Sequence, residues 1–140
     1  MKNLTLTALA VTGVLFATLP AAAQEGAMKG MDMPMKHSDK MPPQSMLKPA
    51  QGASVKIIAP KAGQVVKGDS VPLEFKMTKG KVGEHVHAYL DGEMAGMFKS
   101  TKGTLNGVKP GQHTLEVRVA TGDHNTELNA TDKVTFTTTK

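Results

Sequence analysis

The feature that most constrains the fold is the alternation of apolar and polar residues in short segments from Ser54 onward. In Val71–Thr78 every second side chain is apolar, as expected for a strand with one buried face. Turn residues interrupt such segments at intervals of roughly 8–12 residues, and Asp91-Gly92 is a strong hairpin signal. No segment has convincing helical periodicity. The pattern predicts an all-β domain over residues 54–140, an antiparallel sandwich of about seven strands.

The chain has no cysteine, and this absence narrows both the structure and the chemistry. No disulfide can stabilise the domain, so its stability must come from the hydrophobic core. That core must consist of aliphatic side chains together with Phe75, Phe98 and Phe136. A blue-copper electron-transfer site is excluded because it requires a cysteine ligand.

Residues 1–23 have the pattern of a cleavable signal peptide. Lys2 supplies the positive start, a mostly apolar stretch runs to Leu19, and Ala21-Ala22-Ala23 provides the small residues before cleavage. The alternative is a retained membrane anchor, but a span requires about 20 apolar residues and threonines interrupt this stretch. We therefore expect export to the periplasm or secretion, with no stable membrane insertion after cleavage.

Residues 24–53 form a tail rich in methionine and proline. The tail holds six of the ten methionines and little other apolar content, so the sequence predicts disorder. Thioethers are soft, neutral ligands that suit Cu(I). The candidate tail ligands are Met28, Met31, Met33, Met35, His37 and Met41. The alternatives are a sacrificial sink for oxidants or no specific role.

Charge does not favour a nucleic-acid partner. The formal charge of +5 falls to about +4 when Lys2 leaves with the signal peptide, and the lysines are mixed with acids along the chain. Such a distribution is typical of a solvated surface.

Three histidines and an aspartate are predicted to meet at one end of the sandwich. In the strand Glu84–Leu90, His85 and His87 share the face opposite the predicted core face. Asp123 and His124 lie in the predicted polar loop Thr121–Ala130, which sandwich topology brings to the same end. Three imidazoles and a carboxylate would suit Cu(II) or Zn(II). The alternative is a polar sheet face, and His113, at the opposite end, is predicted to be structural.

Several motifs resemble those of exported bacterial immunoglobulin-like domains. They are V-K-I-I-A-P-K-A-G-Q-V-V at Val55–Val66, H-V-H-A-Y-L-D-G at His85–Gly92, P-G-Q-H-T-L-E-V at Pro110–Val117 and G-D-H at Gly122–His124. The methionine-rich tail separately resembles those of periplasmic copper-resistance and copper-chaperone proteins. The resemblances imply an immunoglobulin-like sandwich and a role in copper handling.

The sequence contains no catalytic constellation such as a nucleophile elbow or a P-loop, so we expect a protein that is not an enzyme. The leading hypothesis is a periplasmic protein that binds copper and buffers or delivers it, with a copper-handling or envelope protein as partner. The alternative is a non-enzymatic interaction module that docks a protein or an envelope component.

Overall fold

The computed structural model describes residues 40–140, and in this range eight strands form two packed sheets. The strands are β1 (Ser54–Ala59), β2 (Val65–Lys67), β3 (Val71–Thr78), β4 (Gly83–Leu90), β5 (Glu93–Phe98), β6 (Lys102–Leu105), β7 (Gly111–Thr121) and β8 (Glu127–Thr139). One sheet has the order β1-β3-β6 and the other the order β2-β8-β7-β4-β5. All pairings are antiparallel except that of β2 with β8. The predicted all-β sandwich is confirmed.

The core between the sheets follows the alternation of the sequence. Val71, Leu73 and Phe75 on β3 are buried against alternate residues of β4, β7 and β8. Phe136 is also buried, whereas Phe98 packs against the core from its edge. Because each fully buried large apolar side chain stabilises a fold by about 1.5–3 kcal/mol, these contacts hold the sandwich together without disulfides.

The hairpin between β4 and β5 turns at Asp91-Gly92 as predicted. Both residues have positive φ angles, 53° and 84°, which is the conformation that a two-residue type I′ turn requires. The turn fixes the register of β4 and therefore which of its side chains face away from the core.

The last strand begins earlier than the sequence pattern indicated. Residues 121–130 were predicted to form a polar loop, but β8 starts at Glu127, and only a short turn separates it from β7. Leu128 and Ala130 are buried on the core side, so the alternation does extend to this point. The prediction missed it because Glu127 and Asn129 made the segment look like a loop.

Residues 40–53 belong to the tail that is predicted to be disordered, but residues 40–48 have defined contacts with the five-stranded sheet. We call residues 40–48 the strap. The strap contains a short 3-10 helix, Gln44–Met46, and its Met41 N–H donates to the Gly92 carbonyl. Its Lys48 N–H donates to the Glu127 carbonyl at 2.8 Å. These contacts are made mainly by backbone and polar groups, so apolar composition gives no sign of them.

The predicted signal peptide and most of the tail lie outside the described residues. The same is true of five candidate ligands, Met28, Met31, Met33, Met35 and His37. From residue 40 to residue 140, the fold includes no helix that is long and apolar enough to cross a membrane.

Candidate metal centre

Three imidazoles meet at the N-terminal end of β4. The Nε2 atom of His85 lies 3.0 Å from Nε2 of His87 and 3.1 Å from Nδ1 of His124. One nitrogen from each ring can be chosen so that all three lie within 4.8 Å of one another. The predicted convergence of these three histidines is therefore present in the structure.

His85 and His87 leave β4 on the face opposite the core, as predicted, but they do not reach solvent. Their exposed fractions are 0% and 3%. Every side chain from residue 85 to residue 89 is buried, because the second sheet covers one face of β4 and other groups, including the strap, cover the opposite face. Two of the three rings of the candidate site are thus internal, whereas His124 is partly exposed.

His124 reaches the cluster from the turn between β7 and β8, where its backbone has a positive φ angle of 60°. Its N–H donates to the carbonyl of Thr121 at 3.1 Å, which closes the turn. A residue with a Cβ atom pays about 1–2 kcal/mol to occupy this left-handed region, and glycine is the usual occupant. Unfavourable backbone conformations of this kind are concentrated at functional sites.

A buried ionic network lies directly behind His87. Its Nδ1 atom lies 2.8 Å from Oε1 of Glu127, and the same oxygen accepts the hydroxyl of Tyr89. Arg118, which is fully buried, donates to the other oxygen of Glu127 at 2.9 Å and to Glu116 at 2.8 Å. The guanidinium also lies over the Tyr89 ring, 5.4 Å from its centroid.

The strap is hydrogen-bonded to this network. The Nη1 atom of Arg118 donates to the Pro42 carbonyl at 2.7 Å, and the side-chain amide of Gln44 donates to Glu116 at 3.3 Å. None of these network residues was singled out by sequence reasoning. The available signal was charge at alternate positions of β7, since Glu116 and Arg118 share the outer face with His87.

Burial and hydrogen bonding set the ionisation of the cluster. Burial, together with the neighbouring His87 and His124, lowers the pKa of His85 to about 4, so this ring is neutral at neutral pH. Burial acts to raise the pKa of Glu127, but hydrogen bonds from His87, Tyr89 and Arg118 outweigh it and the pKa is lowered. Burial and the bond to Glu127 raise the pKa of the Tyr89 hydroxyl. The site therefore combines the neutral ring of His85 with the ionised carboxylate of Glu127.

Asp123 is not brought into the cluster. Its Oδ1 accepts the Thr121 hydroxyl at 2.5 Å and the Asn125 and Thr126 N–H groups at 3.1 Å. The hydroxyl of Thr126 donates to the other oxygen at 3.0 Å. These bonds, led by that from Thr121, lower the pKa of Asp123 to about 2. Its carboxylate therefore shapes the turn that carries His124, whereas the sequence analysis had made it a metal ligand.

Two further residues of the sequence analysis lie away from the cluster. The backbone of Met41 is bonded to Gly92 in the turn after β4, beyond Leu90, which ends the strand about 17 Å from His85. His113 lies at the start of β7, with Nδ1 2.6 Å from Asp91 and Nε2 2.6 Å from the Lys109 carbonyl. These contacts match the structural role predicted for His113.

A surface groove of about 510 Å³ runs between the strap and the turn that carries His124. Met46 lines one wall and is 65% exposed, while Asn125, Thr126 and Glu127 line the other. The groove brings solvent close to the buried network at Glu127.

Comparison with protein-family models and with curated protein sequences finds no match. Among solved structures, the chain is similar to fibronectin(III)-like modules of CbhA from Clostridium thermocellum, with 21% identity and a TM-score of 0.51. That similarity covers 61% of this chain and 99% of the module. It shows the fold alone, and it confirms the immunoglobulin-like sandwich.

Two weaker similarities carry no argument about this chain. A lytic polysaccharide monooxygenase from Jonesia denitrificans has a TM-score of 0.43 and 18% identity, over 57% of this chain and 60% of that chain. The CARDB domain of the PF1109 protein from Pyrococcus furiosus, in complex with di-metal ions, has a TM-score of 0.40 and 16% identity, over 62% and 87%.

Proposed function

We propose that this protein binds a single copper-type metal ion through His85, His87 and His124 and serves in metal handling outside the cytoplasm. The observation that carries the proposal is the convergence of one nitrogen from each of three rings within 4.8 Å. Export to the periplasm and a role in copper buffering or delivery belong to the same proposal and rest on the sequence.

The spacing of the nitrogens suits a shared ion. Two nitrogens bound to one zinc or copper ion at 2.0–2.1 Å lie about 2.9–3.4 Å apart for bond angles near 90–109°. Two of the three separations, both from Nε2 of His85, are 3.0 Å and 3.1 Å, and all three lie within 4.8 Å. The Glu127 carboxylate, 2.8 Å from Nδ1 of His87, takes the proton of that ring and leaves Nε2 as an acceptor. Without an ion, neutral rings then satisfy both contacts only if a single N–H of His85 is shared between Nε2 of His87 and Nδ1 of His124. A cation at the common point instead uses the lone pair of each nitrogen.

The buried charges also favour a cation. Glu116 and Glu127 are 5% and 6% exposed, and the fully buried Arg118 compensates only one of them. One negative charge is left in this network of two carboxylates and one guanidinium, in a region where unpaired charge is costly. A metal ion bound at His87 would place the missing positive charge there.

Copper is favoured over zinc by the rest of the chain rather than by the cluster itself. Three imidazoles suit both metals. The methionines of residues 24–53, however, offer soft thioether ligands, which suit Cu(I) better than the borderline Zn(II).

Metal titration tests the proposal. The protein is titrated with Cu(II), with Zn(II) and, without oxygen, with Cu(I), while ring ¹⁵N resonances of the histidines are followed. We expect the resonances of His85, His87 and His124 to shift together at one equivalent of Zn(II) or Cu(I), and to broaden together at one equivalent of paramagnetic Cu(II). His87→Gln should weaken binding at this site by at least about tenfold, since a metal ligand is lost.

His113→Gln is the matched control, because His113 is bonded to Asp91 and Lys109 and lies outside the cluster. It should leave the titration of the three cluster histidines unchanged. Binding that follows only the tail methionines, with the cluster resonances unmoved by every metal, would exclude the proposed site.

A further inference from the structure

We infer that Glu127 is a positioning residue that fixes His87 in the tautomer carrying its proton on Nδ1, so that Nε2 is presented to the metal. The inference rests on the proposed function, because it concerns the orientation of one ligand of that site. It assigns a role to a residue that does not touch the ion.

The tautomer follows from the hydrogen-bond inventory around Glu127. The Glu127 carboxylate lies 2.8 Å from Nδ1 of His87 and can only accept hydrogen bonds when ionised. Nδ1 must then carry the proton, and the lone pair of a neutral ring is left on Nε2. That Nε2 is the atom that lies 3.0 Å from Nε2 of His85, at the centre of the cluster. A metal-bound histidine commonly donates its other N–H to a carboxylate in the same way.

Glu127 is itself held from two sides. Tyr89 donates its hydroxyl to Oε1, the oxygen that faces His87, and Arg118 donates to Oε2 at 2.9 Å. Because Glu127 and Arg118 are both buried, neither can turn towards solvent without leaving its partners unsatisfied. The carboxylate therefore stays aimed at His87 whether or not an ion is present.

The arrangement makes Glu127→Gln an informative isosteric change. Arg118 has only donors, so the amide oxygen of the new side chain would face Arg118 and its NH₂ group would face His87. That NH₂ group donates to Nδ1, which moves the ring proton to Nε2 and blocks the metal-binding lone pair. The substitution would thus invert the tautomer without changing the size of the side chain.

The test measures the tautomer directly from ring ¹⁵N chemical shifts of the metal-free protein at pH 8. We expect the Nδ1–H form of His87 in the wild type and the Nε2–H form in Glu127→Gln, together with a loss of about 10–100-fold in Cu(II) and Zn(II) affinity. The matched control is Glu116→Gln, which makes the same chemical change on the same Arg118 but has no bond to His87. It should keep the Nδ1–H form.

The outcomes separate this inference from the proposed function. An Nε2–H or doubly protonated His87 in the wild type at pH 8 would overturn it without any variant, and so would a folded Glu127→Gln that keeps the Nδ1–H form. If the tautomers behave as expected but no metal moves the cluster resonances, the positioning role stands and the metal-binding proposal fails.

Discussion

Nε2 of His85 and Nδ1 of His124 lie 3.1 Å apart, although 39 residues separate them in the chain. Two features of the fold bring them together. The antiparallel pairing of β4 with β7 aligns His85 with Ala120, and the short turn after β7 returns His124 towards β4. The separation of the two rings therefore depends on the conformation of one turn, and the turn can be tested apart from the sandwich.

Replacing His124 by glycine should remove metal binding and relieve backbone strain at once. The φ angle of 60° at this position disfavours any residue with a Cβ atom. We expect His124→Gly to be more stable than His124→Ala by about 1 kcal/mol, because both lose the imidazole and only the alanine keeps the strain. Urea unfolding of the two metal-free variants measures this difference.

Both variants at this position should also lose affinity at the cluster to the same extent. Equal stabilities would show that the left-handed conformation costs nothing here. Retained wild-type affinity in both would remove His124 from the set of ligands.

Asp123→Ala separates the structural role of this carboxylate from the ligand role first predicted for it. The variant loses the bonds from Thr121, Asn125 and Thr126, so we expect a melting temperature lower by a few degrees. Metal-bound Asp123→Ala should still show all three cluster histidines shifting at one equivalent. A complete loss of Cu(II) and Zn(II) binding, with the turn intact by NMR, would restore Asp123 as a ligand.

Much of the sandwich could be predicted because alternation reports which face of a strand meets the core. Val71–Thr78 and the Asp91-Gly92 hairpin follow this rule, and both lie as predicted. The start of β8 could not be found, since Glu127 and Asn129 are polar in a strand whose neighbours Leu128 and Ala130 are buried. Polar residues in such a strand are stabilised by particular partners, which the pattern does not specify.

The candidate site was predictable to the extent that it follows from topology. The parity of His85 and His87 and the position of the β7–β8 turn were sufficient to bring three histidines together. The burial of His85 and His87 was not predictable, because the strap on this side of the sheet is fixed by a carbonyl of Pro42 and by the backbone of Lys48 rather than by apolar side chains. Glu127 was missed for the same reason that the start of β8 was missed.

Loosening the strap should open the outer face of the sheet without changing a ligand. Replacing both Pro42 and Pro43 by glycine raises the conformational entropy of the undocked strap. The free energy of docking the strap on the sheet should therefore become less favourable by roughly 1–2 kcal/mol. We expect amide exchange at Met41 and Lys48 to accelerate by about tenfold, because these N–H groups bond the strap to the sheet. Pro110→Gly, in the turn before β7, is the control and should leave both amides unchanged. Unaltered exchange in the double variant would mean that the prolines do not help to dock the strap.

His113 should make the folded state less stable as the pH rises. The hydrogen bond to Asp91 outweighs burial and, with the Lys109 carbonyl, raises the pKa of His113 above its ordinary value of 6.5. The protonated ring therefore stabilises the folded state fully below pH 6.5, and this contribution is lost as the pH rises through the raised pKa. Urea unfolding of the metal-free proteins gives the free energy of unfolding of wild type and of His113→Gln at pH 5.5 and at pH 8.5. The variant should be less stable than wild type at both, and the deficit should be about 1 kcal/mol larger at pH 5.5. Asp91→Asn keeps an acceptor but removes the charge, so it should reduce the same pH dependence. A difference that is equal at both pH values would show that His113 is not protonated more readily in the folded protein.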